Sequence, residues 1–381
     1  MTVVTLADVA EINPRGDRPR PDEDVAFVGM AGLSAMTGTA GPGVIRPFGE
    51  VSRGYTIFRD RDLLVAKITP CFENGKTGQA HLSRPIGVGS TEFHVVRPKA
   101  DRLDPRFALH FLRQDWIRRS GELWMTGSAG QRRVPAAFLE ALELPLPPIE
   151  EQRRIAAILD HADEIQRLAT QRVKGLQHLL DSVFNSIDRS HGQSVAIGEV
   201  ATVVRGASPR PAGDPRYFGG SIPWLKISDV TAAPGRFVRD VKEGVTEEGR
   251  ARSVLIPAGT LILTNSATVG IPKVMAVDTC IHDGFLAFTR LDDRVDQTYL
   301  YAALLASRQA LIELAPHGTQ KNLNTTLVKG FRITLPTILA QRRFAETYEL
   351  IERRVGHAEE FRRQLRELIL SVQARAFSGR L

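Results

Sequence analysis

The chain has 381 residues, 43% hydrophobic and 24% charged, a mix that excludes a disordered or fibrous protein and fits more than one packed domain. Lys and Arg number 50 against 43 Asp and Glu, giving a formal charge of +7 and a pI near 9.6, which suits a polyanionic partner. The two cysteines, Cys71 and Cys280, have no ligand-spaced companions, which excludes a disulfide framework or a zinc site and leaves them as reduced, buried, small apolar residues.

At the amino end, Met1-Thr2-Val3-Val4-Thr5-Leu6-Ala7-Asp8 has no basic segment followed by an apolar run, and nothing reaches the roughly 18 consecutive apolar residues of a membrane span. A soluble, cytoplasmic protein with no membrane partner is expected. Asn13-Pro14-Arg15-Gly16 reads as a turn, because it lacks the second proline and aromatic with which amino-methyltransferases hold a flipped base. Leu63-Leu64-Val65-Ala66 and Phe93-His94-Val95-Val96 read as short strands between Gly, Pro and Asn turns, followed by a brief helix over 105–120. Asn74-Gly75-Lys76-Thr77 resembles the end of a phosphate-binding loop, but Pro70 stands where that loop needs glycine.

From 150 to about 186 there is no proline, and Ile155, Ile158, Ala162, Ile165, Ala169, Val173, Leu176, Leu180, Val183 and Ile187 are spaced by threes and fours. This predicts a long helix started by Pro147-Pro148. It outruns a domain of about 150 residues, so pairing with a second helix explains the stripe better than burial on its own domain.

The second half repeats the first. Strands are predicted at Thr260-Leu261-Ile262-Leu263 and Phe285-Leu286-Ala287-Phe288, a brief helix over 297–314, and a second long helix with Phe344, Tyr348, Ile351, Val355, Ala358, Phe361, Leu365, Ile369, Val372 and Ala376 as its stripe. Gln131-Arg132-Arg133-Val134 matches Gln320-Lys321-Asn322-Leu323, and Leu146-Pro147 through Gln152-Arg153-Arg154 matches Leu335-Pro336 through Gln341-Arg342-Arg343, both at an offset of 189. Leu6-Ala7-Asp8-Val9-Ala10 matches Ile197-Gly198-Glu199-Val200-Ala201 at an offset of 191. The chain is a tandem duplication with a shared scaffold and two divergent working surfaces. No GxGxxG after a strand, no HExxH and no GxSxG is present, and His282-Asp283 has no nucleophile placed nearby by sequence; adjacent residues in a strand also face opposite ways. His282 is read as structural or DNA-facing, and Trp224 as core.

The segment Asp62-Leu63-Leu64-Val65-Ala66-Lys67-Ile68-Thr69-Pro70-Cys71-Phe72-Glu73-Asn74-Gly75-Lys76, with Gly89-Ser90-Thr91-Glu92-Phe93-His94-Val95, resembles the first target-recognition domain of specificity subunits of type I restriction-modification systems. Ser208-Pro209-Arg210-Pro211, Ile222 through Asp229, Asn265 through Pro272 and His282-Asp283-Gly284-Phe285 resemble the second, and Pro147 through Gln152 and Arg375 through Leu381 resemble the repeated helical regions. Leu339-Ala340 departs from the Glu150-Glu151 of the first repeat.

The resemblance implies an α+β fold: two mixed α/β target-recognition domains, 1–147 and 190–336, separated by two long antiparallel coiled-coil helices, 148–189 and 337–381, as a pseudo-two-fold tandem repeat. A helix of about 36 residues spans roughly 54 Å, more than one turn of duplex. It implies a non-catalytic subunit that recognises a bipartite, asymmetric site in double-stranded DNA. Its partners would be two methylation subunits and a restriction subunit, with S-adenosylmethionine, ATP and Mg held by those partners and no cofactor in this chain. The alternative is a coiled-coil adaptor with two protein-binding heads.

Candidate DNA contacts are polar or basic residues in Gly/Pro-marked loops: Lys67, Thr69, Asn74, Lys76, Gln131, Arg132 and Arg133 in the first head, and Arg205, Ser208, Arg210, Lys226, Asn265, Ser266, Thr268, Gln320, Lys321 and Asn322 in the second. For Lys67, Lys226 and Asn265 a strand-end hydrogen bond inside the head is the alternative, and for Ser208 through Pro211 a rigid turn.

Overall fold

The computed structural model describes residues 2–15, 18–128, 130–314 and 322–378; Gln320 and Lys321 lie outside them. The chain divides into two units, Met1–Leu168 with Arg362–Leu381, and Ala169–Phe361.

In the first unit the strand Leu63–Ala66 pairs antiparallel with Phe93–Pro98 on one side and Thr77–Ala80 on the other. Successive strand residues point to opposite faces, and here both faces are covered. Leu63 and Val65 enter a core with Phe107, Phe111 and Leu139, while Leu64 and Ala66 enter another with Val28, Phe58 and Phe93. That is why the sequence shows an unbroken apolar run instead of alternation.

The second unit repeats the arrangement. Leu261–Thr264 lies between Phe285–Leu291 and Pro272–Met275, with Leu261 and Leu263 in one core and Ile262 in the other. Each head also carries, among the described residues, a four-stranded sheet. In the first its order is Val44–Pro47, Asp24–Val28, Ile86–Gly89, Thr56–Arg59; in the second it is Glu243–Val245, Phe218–Leu225, Thr279–Ile281, Val254–Ile256. Trp224, on Phe218–Leu225, is 2% exposed, as a core residue should be.

The brief helices expected over 105–120 and 297–314 are each two. The first is Pro105–Leu112 then Asp115–Trp124, and the second is Gln297–Ala306 then Arg308–Leu314. Gln114 has extended backbone, which redirects the chain so that Ile117 enters the core. Asp104 and Asp296 cap the leading helices alike, each carboxylate accepting from two backbone N–H groups, those of Arg106 and Phe107 and those of Thr298 and Tyr299. Cys280 is buried but Cys71 is only partly so, because it sits in the turn after Leu63–Ala66 and not in a strand; both are free thiols.

The long helices are Ile149–Asn185 and Ile338–Ala376, of 37 and 39 residues. Each head is covered by the start of its own helix and the end of the other. Ile155, Ala156 and Leu159 share the first unit's core with Ala376, against which Val372 and Phe377 also pack. Phe344 and Tyr348 share the second unit's core, with Leu180, Val183, Phe184 and Ile187 packed against it. Within the second unit Gln177 lies 3.4 Å from Glu359 while Phe184 meets Phe344 at 5.8 Å, so the helices run antiparallel. Two stripe positions differ from expectation. Ile158 is 37% exposed while its neighbour Leu159, 1% exposed, takes the buried place, and Phe361 is 51% exposed. A four-residue step from Ile155 keeps the buried face under the head, whereas a three-residue step rotates the side chain outward.

Candidate nucleic-acid interface

In both heads the central strand ends at a residue gripped by backbone on two sides. The Lys67 N–H donates to Glu92 O and its carbonyl accepts from Val134 N, both at 2.9 Å; the Asn265 N–H donates to Gly284 O and its carbonyl accepts from Leu323 N, again at 2.9 Å. Val134 and Leu323 are 189 residues apart, the offset of the matched loops, so these two residues occupy equivalent places beside equivalent strand ends.

Around Lys67 the first head gathers Thr69, Arg132 and Arg133. Thr69 N donates to Arg132 O at 3.0 Å, and Arg133 exchanges backbone hydrogen bonds with Thr126, which lays the loop along the strand end. The Arg133 guanidinium grips Glu92, with Nε 2.9 Å from Oε2 and Nη2 2.7 Å from Oε1. That hydrogen bonding holds the Glu92 carboxyl below its usual range. Arg132 lies 3.6 Å from Glu73 Oε1, which also accepts from Thr69 Oγ1 at 2.8 Å. Gln131, Arg132 and Asn74 are exposed, whereas Lys76 Nζ donates to Met30 O at 2.9 Å and is tied inside the head.

Beside Lys67 opens a groove of about 590 Å³, lined among others by Asn13, Arg15, Arg18, Tyr55 and His94. Asn13 holds a left-handed conformation, φ 52°, that asparagine tolerates better than most residues. Its Oδ1 accepts from Val95 N at 3.0 Å and its amide faces His94 Nδ1 at 3.0 Å. His94 Nε2 donates to Val134 O at 2.9 Å, and burial pushes this imidazole below its ordinary value, so it sits neutral between turn and loop.

The second head centres on Asp283. It accepts from Ser208 Oγ, its carbonyl accepts from Arg205 Nε at 2.9 Å and from Asn265 Nδ2 at 3.2 Å, and the Ser208 bond keeps its carboxyl low. His282 and Asp283 occupy a turn between Thr279–Ile281 and Phe285–Leu291, not a strand, so their side chains do not point to opposite faces and His282 Nδ1 lies 3.7 Å from Asp283 Oδ1. His282 Nδ1 accepts from Gly284 N at 2.8 Å, and burial lowers its pKa. Glycine is required at 284, since a Cβ there would stand 2.3 Å from the His282 ring.

Of the other predicted residues in this head, Asn265 is 1% exposed, and its Oδ1 has no hydrogen-bond partner among the described residues. Lys226 pairs with Glu243 at 3.2 Å, and its charge also lowers the pKa of His282. Ser266 and Thr268 lie in the turn after Asn265, where Thr268 O accepts from Thr264 Oγ1, and Arg210 and Asn322 are exposed. Reasoning from charge passed over Asn13, His94, Glu73, Glu92 and Asp283, because it sought donors for a polyanion and these residues are acceptors or orienting groups. Among the described residues no group of His, Cys, Asp and Glu is placed to hold a metal, and no helix is long and apolar enough to cross a membrane.

A family model described as type I restriction modification DNA specificity domain matches residues 1–178 and again 191–355. The chain belongs to this family. Its DNA specificity domain is present twice, in the register of the duplication. The chain is 35% identical over 191 residues to the type I restriction enzyme EcoAI specificity subunit of Escherichia coli, covering 49% of this chain and 32% of that protein. It is likewise 35% identical over 192 residues to the EcoEI specificity subunit of the same organism, with the same two coverages. The match thus spans about a third of the length of these curated relatives. A crystal structure of the S subunit of a type I restriction-modification system from M. genitalium superposes with a TM-score of 0.62 at 14% identity, covering 99% of this chain and 96% of that one, which establishes the shared fold.

Proposed function

We propose that this chain is a non-catalytic, cytoplasmic subunit that reads a bipartite, asymmetric sequence in double-stranded DNA for a type I restriction-modification complex. Residues 1–147 and 190–336 are the two reading heads and 148–189 and 337–381 the spacer. The observation that carries this reading is the pair of equivalent strand ends at Lys67 and Asn265, built on the same backbone hydrogen bonds but surrounded by unlike side chains. A repeated scaffold with divergent surfaces suits two different half-sites, whereas a symmetric reader would need like ones.

Contact falls to the side chains open to a duplex, Asn74, Gln131, Arg132 and Arg133 in the first head and Arg205, Arg210 and Asn322 in the second, and to Gln320 and Lys321 on their sequence register alone. Arg133 and Arg205 remain available despite their acidic partners, since ion pairs this exposed are worth only about 0–1 kcal/mol and a guanine edge can replace them. Lys67, Thr69, Lys76, Lys226, Asn265, Ser266 and Thr268 shape the surface from beneath.

Two methylation subunits and a restriction subunit complete the assembly, supplying S-adenosylmethionine, ATP and Mg chemistry. Methylome sequencing of cells with and without this chain tests the proposal. The expected result is one two-part motif with a fixed gap that loses its methylation with the chain; an unchanged methylome refutes it and favours the adaptor reading.

A further inference from the structure

We propose that Glu92 and Asp283 are specificity-determining residues: carboxylates set into the basic reading surfaces to hold back sequence-independent phosphate binding and to select a base edge that offers an amino group. The inference rests on the DNA-reading function proposed above and adds residues of opposite charge to those a DNA surface is expected to use.

The placement is similar in the two heads, with Asp283 one residue before Gly284, the position that corresponds to Glu92. Glu92 directly precedes Phe93, and Asp283 stands two residues before Phe285; these two phenylalanines pair with Ala66 and Thr264, the last residues before the gripped positions Lys67 and Asn265. Each carboxylate faces a cation of its own head. Glu92 takes two charge-assisted hydrogen bonds from Arg133, and Asp283 lies 4.0 Å from Arg205 Nη2 while accepting from Ser208. Both side chains remain partly exposed, so a duplex laid on these strand ends meets them.

Two physical consequences follow. A phosphate that recruits Arg133 or Arg205 must displace a carboxylate and then lie beside it, like charge against like, so each head binds an arbitrary backbone more weakly than its arginine count suggests. A base edge with an exocyclic amino group, cytosine N4 or adenine N6 in the major groove, meets the same carboxylate as a donor meeting an acceptor, while the released arginine can donate to guanine O6 and N7. The carboxylate therefore penalises the wrong contact and rewards the right one.

The test uses the full chain with its methylation partners and a pool of randomised duplexes, comparing wild type with Glu92→Gln and Asp283→Asn. The enriched motif and the salt dependence of binding to an arbitrary duplex are read for each. Removing a carboxylate should tighten binding to the arbitrary duplex, steepen the log–log salt slope by about 0.9 for the one further phosphate that the freed arginine neutralises, and reduce discrimination at a base position by about tenfold. Glu92→Gln should relax only one half of the motif and Asp283→Asn only the other, a pattern that general destabilisation does not produce. If one variant fails to fold, the other decides. Failure of the wild type to enrich any motif refutes the DNA-reading function itself; a wild-type motif retained by the variants with an unchanged salt slope refutes the role given to the carboxylates.

Discussion

Gln152 and Gln341, 189 residues apart, make the same three hydrogen bonds in their respective units. Gln152 Oε1 accepts from Asp104 N at 2.8 Å, and its Nε2 donates to Arg102 O and Pro147 O, both at 2.9 Å. Gln341 does likewise with Asp296 N, Arg294 O and Pro336 O. Each glutamine thus ties the start of a long helix to the capped helix of its head, and both are fully buried.

Gln152→Ala and Gln341→Ala should each cost about 2–4 kcal/mol, because buried backbone groups left unpaired cost roughly 1–3 kcal/mol apiece. With no shared partners, the double variant should be additive within about 0.5 kcal/mol. Urea unfolding measures the loss, and hydrogen exchange should confine each single effect to one unit.

Leu159→Ala should destabilise by about 2–4 kcal/mol through the cavity it leaves under the first head. Ile158→Ala, one position along, should change stability by less than about 0.5 kcal/mol. A larger loss from Ile158→Ala than from Leu159→Ala would put Ile158 in the buried stripe and overturn this packing.

His94 is neutral in the folded chain, its pKa lowered from 6.5 chiefly by burial. The unfolded chain then binds the proton more readily, so stability is intact above pH 6.5 and is lost as pH falls from 6.5 toward the lower folded value. The wild type should show this loss in urea midpoints taken between pH 7.5 and about 5, and His94→Gln should show less of it. His282, lowered for the same reason, should contribute a separate share removed by His282→Gln.

Asp160 accepts from His110 Nε2 at 2.7 Å and from Arg106. Burial alone would raise its pKa, but these bonds and the Arg106 charge bring it down to about 2. Its contribution is present above pH 3.8 and disappears as pH falls from there through about 2. Asp160→Asn should therefore lower stability at pH 7 and flatten the acid limb of the unfolding curve.

Arg132→Ala should weaken binding to duplexes of any sequence and make the salt slope shallower by about 0.9 for the phosphate no longer neutralised, whereas Arg133→Ala, whose guanidinium Glu92 holds, should leave the slope nearly unchanged. Gln131→Ala should instead alter the preference at a single base position in the methylome motif, with the slope unchanged.

The duplication was legible because scaffold residues are held by backbone geometry common to both halves. Gln152 and Gln341, and Val134 and Leu323, keep their offset because each satisfies main-chain groups in the same place. The strand runs were legible too, since Leu63–Ala66 and Leu261–Thr264 are apolar on both faces. Where sequence reading slipped, a tertiary contact decided the outcome: Leu159 over Ile158 because of the head beneath it, and two short helices over one because Ile117 and Leu311 each turn into a core. The candidate contact surface was legible in its cations and uncharged polar side chains. The carboxylates and the Asn13–His94 pair that orient it come from distant parts of the chain, and no local pattern joins them.

The first unit's core is closed by Val372, Ala376 and Phe377, with Phe377 stacked 5.1 Å from Phe107 and 5.7 Å from Phe111. On the ribosome this has a kinetic meaning. The segment 169–361 leaves the exit tunnel as one uninterrupted stretch and can finish folding as soon as it is made, whereas the head made first must wait, its aromatic face uncovered, for a strap synthesised more than 200 residues later. The unit begun first is completed last, and during that interval its uncovered phenylalanines are open to aggregation.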